Sequence, residues 1–287
     1  MPIGFIGGSG IYDALPLEET RTVDVETPFG EPSAPITIGT LDGTGRELAF
    51  VPRHGRNHEY SPTEVPYRAN IYALKDLGVS HVIATNAVGS LSTDIPPRSI
   101  VVPDQLFDRT RHREYSFFGD GIVVHQGFAD PFCSDLASHL ADAVDEATNE
   151  TARRGGTYVC IEGPQYSTRA ESEFYRAQGW DIIGMTALPE AKLAREAELS
   201  YATITGVTDW DVWKADAEVT LEEVLENAAK NESVLKEAVQ HAVESFPDGH
   251  SCDCHSALAG TVNTEPEVIP EETYQRVEPL VGEYVDR

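Results

Sequence analysis

The sequence predicts an α/β fold in a single domain, with helices covering both faces of one β-sheet. Three observations carry this. Short apolar, β-branched runs alternate with stretches of helical periodicity along most of the chain, which is the pattern of strand–helix units. Two of the helical stretches open on strong capping signals. No repeat, and no linker long enough to divide the 287 residues, interrupts the alternation, and a chain of this length buries a substantial core.

In chain order, strands are predicted over 3–6, 36–41, 47–51, 81–85, 99–103, 157–161, 181–185 and 201–206. The first helix signal is Ser61-Pro62-Thr63-Glu64, an N-cap, a proline at the first helical position and a capping-box glutamate. Its apolar stripe runs to Leu77, and Gly78 ends it. Because Pro66 is tolerated only near a helix start, Thr63 is the alternative cap. Further helices are predicted near 133–150, 170–178 and 188–198, and Thr220-Leu221-Glu222-Glu223 opens a long one reaching about Phe246. From Asp248 the composition loosens, and a last helix is predicted near 270–284. The expected organisation is a main domain over 1–247, with a C-terminal extension over 248–287 packed on it.

Charge narrows the function classes. Asp and Glu number 48 against 21 Lys and Arg, a formal charge of -27, and the lysines are only Lys75, Lys192, Lys214, Lys230 and Lys236. The acidic residues are spread along the chain, so the whole surface is negative. One reading is an ordinary acidic cytoplasmic protein. The other is a halophilic one, adapted to salt that screens the self-repulsion. Neither suits a partner that is nucleic acid or an anionic membrane. No apolar run reaches the roughly 18 residues of a membrane span, and no signal-peptide pattern opens the chain, so a cytoplasmic location is expected. The cysteines Cys133, Cys160, Cys252 and Cys254 are too few for a disulfide scaffold of this size.

The chemistry-bearing motifs sit at predicted strand ends, where open α/β sheets hold ligands. Gly7-Gly8-Ser9-Gly10 follows the first strand; its N–H groups and the Ser9 hydroxyl can converge on an anion, or it is simply a tight turn. Its spacing is not that of a dinucleotide loop. Pro52-Arg53-His54-Gly55-Arg56-Asn57-His58 gathers cations in a chain short of them. Arg53 offers forked donors to phosphate and His54 a further contact, unless the cluster is a structural ion pair. Thr85-Asn86-Ala87-Val88-Gly89-Ser90 reads as a third polar loop after a buried strand. In Glu162-Gly163-Pro164-Gln165-Tyr166-Ser167, Tyr166 can stack on a planar or sugar face. Gly184-Met185-Thr186 adds a hydroxyl. In Thr208-Asp209-Trp210-Asp211, an extended backbone would put both carboxylates on one face. That pair suits a glycosidase, a metal site, or recognition of a base bearing an amino group.

With these loops in this order, and with Thr27-Pro28-Phe29-Gly30 and Tyr67-Arg68-Ala69-Asn70-Ile71 between them, the chain resembles the trimeric purine nucleoside phosphorylase family, on its methylthioadenosine branch, from Ile3 to about Ser245. The resemblance implies a mixed central sheet flanked by helices and a phosphate site of Ser9, Arg53, His54, Asn86, Ala87 and Thr186. It also implies ribose-face contacts from Tyr166 and Met185, and a base site of Ser167, Asp209 and Asp211. His125 matches a histidine that a neighbouring subunit gives to the 5′ end of the sugar, which implies a homotrimer, or a hexamer made of two trimers. Inorganic phosphate is then a co-substrate, with no metal and no organic cofactor. Asn86 stands where a threonine is expected in animal members, and Tyr166 where a phenylalanine is.

The reaction implied is attack of phosphate on C1′, with Asp209 in its acid form assisting departure of the purine. Asp209 favours a 6-amino purine, because family members that take 6-oxo purines tend to carry asparagine there; Gly184 before Met185 resembles that oxopurine branch. The Cys252-x-Cys254 pair resembles a motif linked to disulfides in archaeal members, and the flanking His250 and His255 also permit a metal reading. A water-using nucleoside glycosidase and a non-catalytic nucleoside-binding protein are the rival classes.

Overall fold

The computed structural model describes residues 2–8, 15–214 and 220–287. Eleven strands form one mixed sheet: β1 (Ile3–Gly7), β2 (Leu17–Val23), β3 (Ile36–Leu41), β4 (Arg46–Pro52), β5 (His81–Ser90), β6 (Ile100–Val102), β7 (Gln105–Arg109), β8 (Arg153–Arg154), β9 (Thr157–Ile161), β10 (Ile182–Gly184) and β11 (Ser200–Asp209). Among the described residues six α-helices accompany them: α1 (Tyr67–Asp76), α2 (Ser134–Ala147), α3 (Arg169–Ala177), α4 (Glu190–Glu196), α5 (Leu221–Ser245) and α6 (Glu271–Val281).

The sheet has two faces and both are buried. Along β5, Ile83 joins one apolar cluster with Ile204, Leu140, Ala238 and Val239, under α2 and α5. Its neighbours Val82 and Ala84 join the other, with Ile71, Leu74, Leu193 and Ala194, under α1 and α4. Central strands covered on both sides read as continuous apolar runs, and β1 and β11 are buried at every position. Leu258, Val277, Leu280 and Val281 of the last forty residues belong to the same cluster as Val82.

The pairing around β5 is irregular. This strand pairs with β1 in parallel only through Ala84, and with β10 antiparallel only from Gly89, while β11 pairs along nearly its whole length on the other side. Between those partners, among the described residues, the backbone from Thr85 to Val88 has no neighbouring strand on one side. The sheet forks there.

The structure corrects several sequence expectations. The stretch from Asn86 to Ser90 is not a loop but the continuation of β5. The first helix begins at Tyr67 rather than at Ser61 or Thr63. Ser61–Val65 is a turn in which Glu64 N–H and Val65 N–H both donate to Ser61 C=O, at 3.0 and 3.2 Å. Two prolines explain it: in one continuous helix the Pro66 ring would meet the carbonyl of Pro62. Gly78 ends α1 at φ 76° as expected. Strands β2, β7 and β8 escaped the sequence reading. β2 and β7 lie at the two ends of the strand order, and solvated edge strands carry charge instead of an apolar run. All four cysteines are thiols in this structure. Among the described residues no helix is long and apolar enough to cross a membrane.

Candidate active site

The fork in the sheet opens into a cavity of about 400 Å³. Its floor is Thr85–Gly89 of β5; Gly8, Arg53 and His54 close one end, and Asp209, Asp211, Tyr166 and Ser167 the other. Gly184, Met185 and Thr186 form one flank, and Val224, Leu225, Ala228 and Leu235 of α5 face them. Residues from seven separate stretches of sequence therefore meet because two strands leave β5 at different points.

At the first end, Arg53 directly follows β4 and is 2% exposed. Its guanidinium is held by Glu190 at the start of α4, Nε to Oε2 at 2.8 Å and Nη2 to Oε1 at 2.9 Å, and Nη1 donates to Thr85 C=O at 2.9 Å. Tyr201 O–H completes the anchor by donating to Glu190 Oε1 at 2.7 Å. Burial works against the arginine charge, but Glu190 holds its pKa above the ordinary value. Three of five N–H groups are used, leaving one on each terminal nitrogen. The structural ion pair, one of the two alternatives posed by the sequence, is present, and it leaves two guanidinium N–H groups unused.

The same logic recurs beside it. Thr203 O–H donates to Asn86 Oδ1 at 2.5 Å, and Asn86 Nδ2 donates to Thr186 Oγ1 at 2.7 Å. Thr186 accepts there, so its own proton is free to point into the cavity. His54 Nδ1 lies 2.9 Å from Tyr60 C=O, and only a protonated Nδ1 satisfies a carbonyl. Burial first, then the Arg53 charge, lowers the pKa of His54 to about 4, so near neutral pH the ring is uncharged and Nε2 carries a lone pair. The ring stacks on His58 at 4.4 Å between centroids. Ala87 is exposed at the fork. Ser9 lies outside the described residues.

At the second end, Asp209 is the last residue of β11, and Asp211 follows in a turn with φ 51°. The two do not share the face of an extended segment, as the sequence suggested. Instead Asp211 N–H donates to Asp209 Oδ1 at 2.7 Å, an Asx-type turn, and Thr208 O–H donates to Oδ2 at 2.7 Å. Burial raises the pKa of Asp209 against those two donors, and the Asp211 charge adds to the rise. Burial also raises that of Asp211, opposed by the hydroxyls of Ser172 and Ser167 that face it. Neither hydroxyl reaches hydrogen-bonding geometry: Asp211 Oδ2, Ser167 Oγ and Ser172 Oγ are all buried without a partner. Tyr166, 48% exposed, stands at the mouth.

Gly184 has its own reason. A Cβ there would lie 2.1 Å from the Tyr158 hydroxyl, so packing against Tyr158 demands glycine whatever the ligand. Met185 is fixed through its backbone, whose C=O accepts from Arg113 Nη1 at 2.6 Å. Arg113 also donates to Leu188 C=O and Glu162 C=O, at 2.5 and 2.7 Å. Glu162 receives Thr63, Arg113 and the backbone N–H of Arg111 and His112. Burial pushes its pKa up, but these donors bring it down to about 2.

Of the sequence-predicted site residues, Arg53, His54, Asn86, Ala87, Tyr166, Ser167, Met185, Thr186, Asp209 and Asp211 all line the cavity. His125 does not; it is exposed, with its N–H on Thr261 C=O at 2.9 Å. Sequence reasoning missed Glu190, Arg113 and the α5 wall. The first two act through partners distant in sequence. The apolar stripe of α5 looked like ordinary core packing.

Residues 2–244 match the family described as the phosphorylase superfamily. A Koribacter versatilis (strain Ellin345) protein called S-methyl-5′-thioadenosine phosphorylase is 48% identical over 283 residues, spanning 98% of this chain and 96% of its own. A crystal structure of methylthioadenosine phosphorylase from an antarctic soil metagenomic library superposes with a TM-score of 0.91 at 45% identity, covering 97% of this chain and 98% of that one. The Schistosoma mansoni methylthioadenosine phosphorylase in complex with adenine gives 0.79 at 39%, covering 85% and 91%.

Proposed function

Because the chain belongs to the phosphorylase superfamily, we propose that it carries out phosphorolysis of S-methyl-5′-thioadenosine, giving adenine and S-methyl-5-thioribose 1-phosphate. One observation carries the reading. A single cavity joins a pre-bonded anion end, a buried aspartate with a raised pKa and an apolar wall from α5.

Hydrogen phosphate sits at the Arg53 end. It takes the two unused guanidinium protons and the Thr186 hydroxyl proton, and its own P–OH donates to the lone pair of His54 Nε2. An oxygen of the phosphate attacks C1′ while the glycosidic bond breaks. The negative charge it brings stabilises the oxocarbenium-like sugar, and fixed positioning supplies much of the rate. Asp209, whose acid form is favoured by burial, gives its proton to N7 of the leaving purine. Asp211 and Ser167, short of partners, take up polar groups of the base. Tyr166 and Met185 cover the sugar. Val224, Leu225 and Ala228 offer the 5′-methylthio group an apolar surface that a 5′-hydroxyl would not use. The glycine at 184, the one feature in favour of a 6-oxo purine, is explained by Tyr158.

No step requires a metal or an organic cofactor. The exposed His125 belongs, on this reading, to the site of a neighbouring copy in a homotrimer, alone or paired as a hexamer. The acidic surface belongs to a halophilic cytoplasmic protein, and unchanged thermal stability between dilute buffer and molar salt would overturn that assignment. The reaction is tested by measuring free base from methylthioadenosine, adenosine and inosine, with and without phosphate. Phosphate-dependent adenine release, fastest from methylthioadenosine, is expected. Hypoxanthine alone would overturn the base assignment, and phosphate-independent release would make the protein a glycosidase.

A further inference from the structure

Away from the cavity, the chain gathers three thiols. Cys133 immediately precedes α2; Cys252 and Cys254 flank the start of the 3-10 turn Asp253–Ser256. All three sulfur atoms lie within 4.8 Å of one another, and Cys133 Sγ and Cys252 Sγ are 3.6 Å apart. Cys133 and Cys254 are buried and Cys252 half-buried. Thiolates bound at about 2.3 Å around a tetrahedral ion stand about 3.8 Å apart, so the spacing needs little adjustment. The surroundings are polar for an apolar seam. Ser200 Oγ is 2.9 Å from Cys252 Sγ and 2.9 Å from His255 Nε2. The ring of His81 packs 4.9 Å from that of His255 and 5.3 Å from that of His250, and His81 Nε2 and His250 Nδ1 are buried without a partner. Buried thiols are usually inert hydrophobes. Three converging on one point, with His255 on the same Ser200 hydroxyl as Cys252, can form a ligand set.

We propose that Cys133, Cys252 and Cys254 bind one thiophilic d10 cation, zinc(II) or copper(I), which clips the C-terminal segment to the start of α2. Binding a divalent ion turns three thiols into three thiolates and releases three protons to solvent. The complex carries one negative charge, and no oxidant or reductant is involved. Copper(I) is satisfied by three thiolates, whereas zinc takes a fourth donor, for which His255, which shares the Ser200 hydroxyl with Cys252, is the candidate. None of the three cysteines lines the nucleoside cavity, so the site concerns stability and leaves the chemistry alone.

The test uses the full chain, stripped with a chelator under reductant and titrated separately with zinc(II) and copper(I) against a competing chromophoric chelator. One equivalent should bind, raise the thermal midpoint and shield Cys133, Cys252 and Cys254, mapped individually by peptide mass, from alkylation. The rate of base release should stay the same. The variant Cys133→Ser/Cys254→Ser should lose the equivalent. His255→Ala should weaken zinc by at least about tenfold and leave copper(I) unchanged; equal weakening of both assigns copper(I) the fourth donor as well and leaves the three-thiol site in place. Failure of the reduced wild-type protein to bind either ion stoichiometrically would overturn the proposal even if the variants do not fold. So would full binding by the double variant, or a disulfide among these cysteines in protein isolated without oxidant. The outcome does not depend on the substrate assignment, because no readout that decides it is catalytic.

Discussion

At the phosphate end of the cavity, Arg53, His54 and Asn86 each already hold hydrogen bonds to the rest of the chain. At the purine end, Asp211 Oδ2 and Ser167 Oγ are buried with none. The difference comes from what each end has to do. An anion with many acceptors is bound by donors whose aim is set beforehand, so the chain spends part of each donor group on anchoring it. A base is recognised by edge groups that differ between purines, and leaving partners unsatisfied makes the wrong base costly as well as the right one favourable. On the proposed function, one end is pre-bonded and indifferent to the nucleoside, and the other is completed by it.

The sharpest way to break that contrast is to remove the anchor. Glu190→Ala leaves the Arg53 guanidinium buried beside a single carbonyl, and stranding a buried charge destabilises by about 3–5 kcal/mol. Urea denaturation should show a loss of that size, and the KM for phosphate should rise. A loss below about 1 kcal/mol would mean that Arg53 does not depend on its partner, and the rigid-end argument would fall.

Asp209→Asn is next in size. It removes the proton donor while keeping both Thr208 and Asp211 within reach of a polar group, so the fold should survive. Adenine release should fall by about 10²–10⁴-fold. The pH profile carries the sign. A raised pKa means that the acid form persists to higher pH than in an ordinary aspartate. Activity that needs this form is complete at low pH and declines as pH rises through the raised value. The variant should lose that decline, and an unchanged profile would move the proton to another group.

How much of this was legible beforehand depends on where the signal lay. Ten of the twelve candidate site residues line the cavity; eight lie at or after strand ends, which are readable from apolar runs that stop at polar residues, whereas Asn86 and Ala87 lie within β5. The α5 boundaries came out close for a local reason too: Thr220 accepts from Glu223 N–H as the capping pattern required. What stayed hidden was pairing. Nothing local says that β1 leaves β5 at Ala84 and that β10 joins it at Gly89, yet that fork is the cavity. Likewise Glu190 is 137 positions from Arg53, and a lone glutamate at a helix start announces only a favourable dipole. The geometry of the aspartates was misjudged because an extended backbone was assumed where a left-handed residue turns the chain.

Two smaller substitutions sharpen the contrast at the purine end. Ser167→Ala deletes a buried hydroxyl that has no partner, so the free protein should be as stable as before or slightly more so. The nucleoside should lose about 1 kcal/mol of binding, seen as a several-fold rise in its KM with the phosphate KM unchanged. If both KM values rise together, the two ends are not separate.

The smallest effect is expected at Leu225, and it addresses the 5′ group alone. This leucine is 59% exposed although it lines the cavity, so its side chain adds little to the core and its loss should leave the melting temperature in place. Covering one or two methylene-sized groups of a ligand stabilises by about 1 kcal/mol, roughly fivefold in binding. Leu225→Ser should therefore reduce the preference for methylthioadenosine over adenosine by about that factor, measured as the ratio of the two kcat/KM values. Adenosine itself should hardly change, because its 5′-hydroxyl gains nothing from an apolar wall. Equal losses on both substrates would show that α5 shapes the whole pocket, and that the methylthio group is read elsewhere.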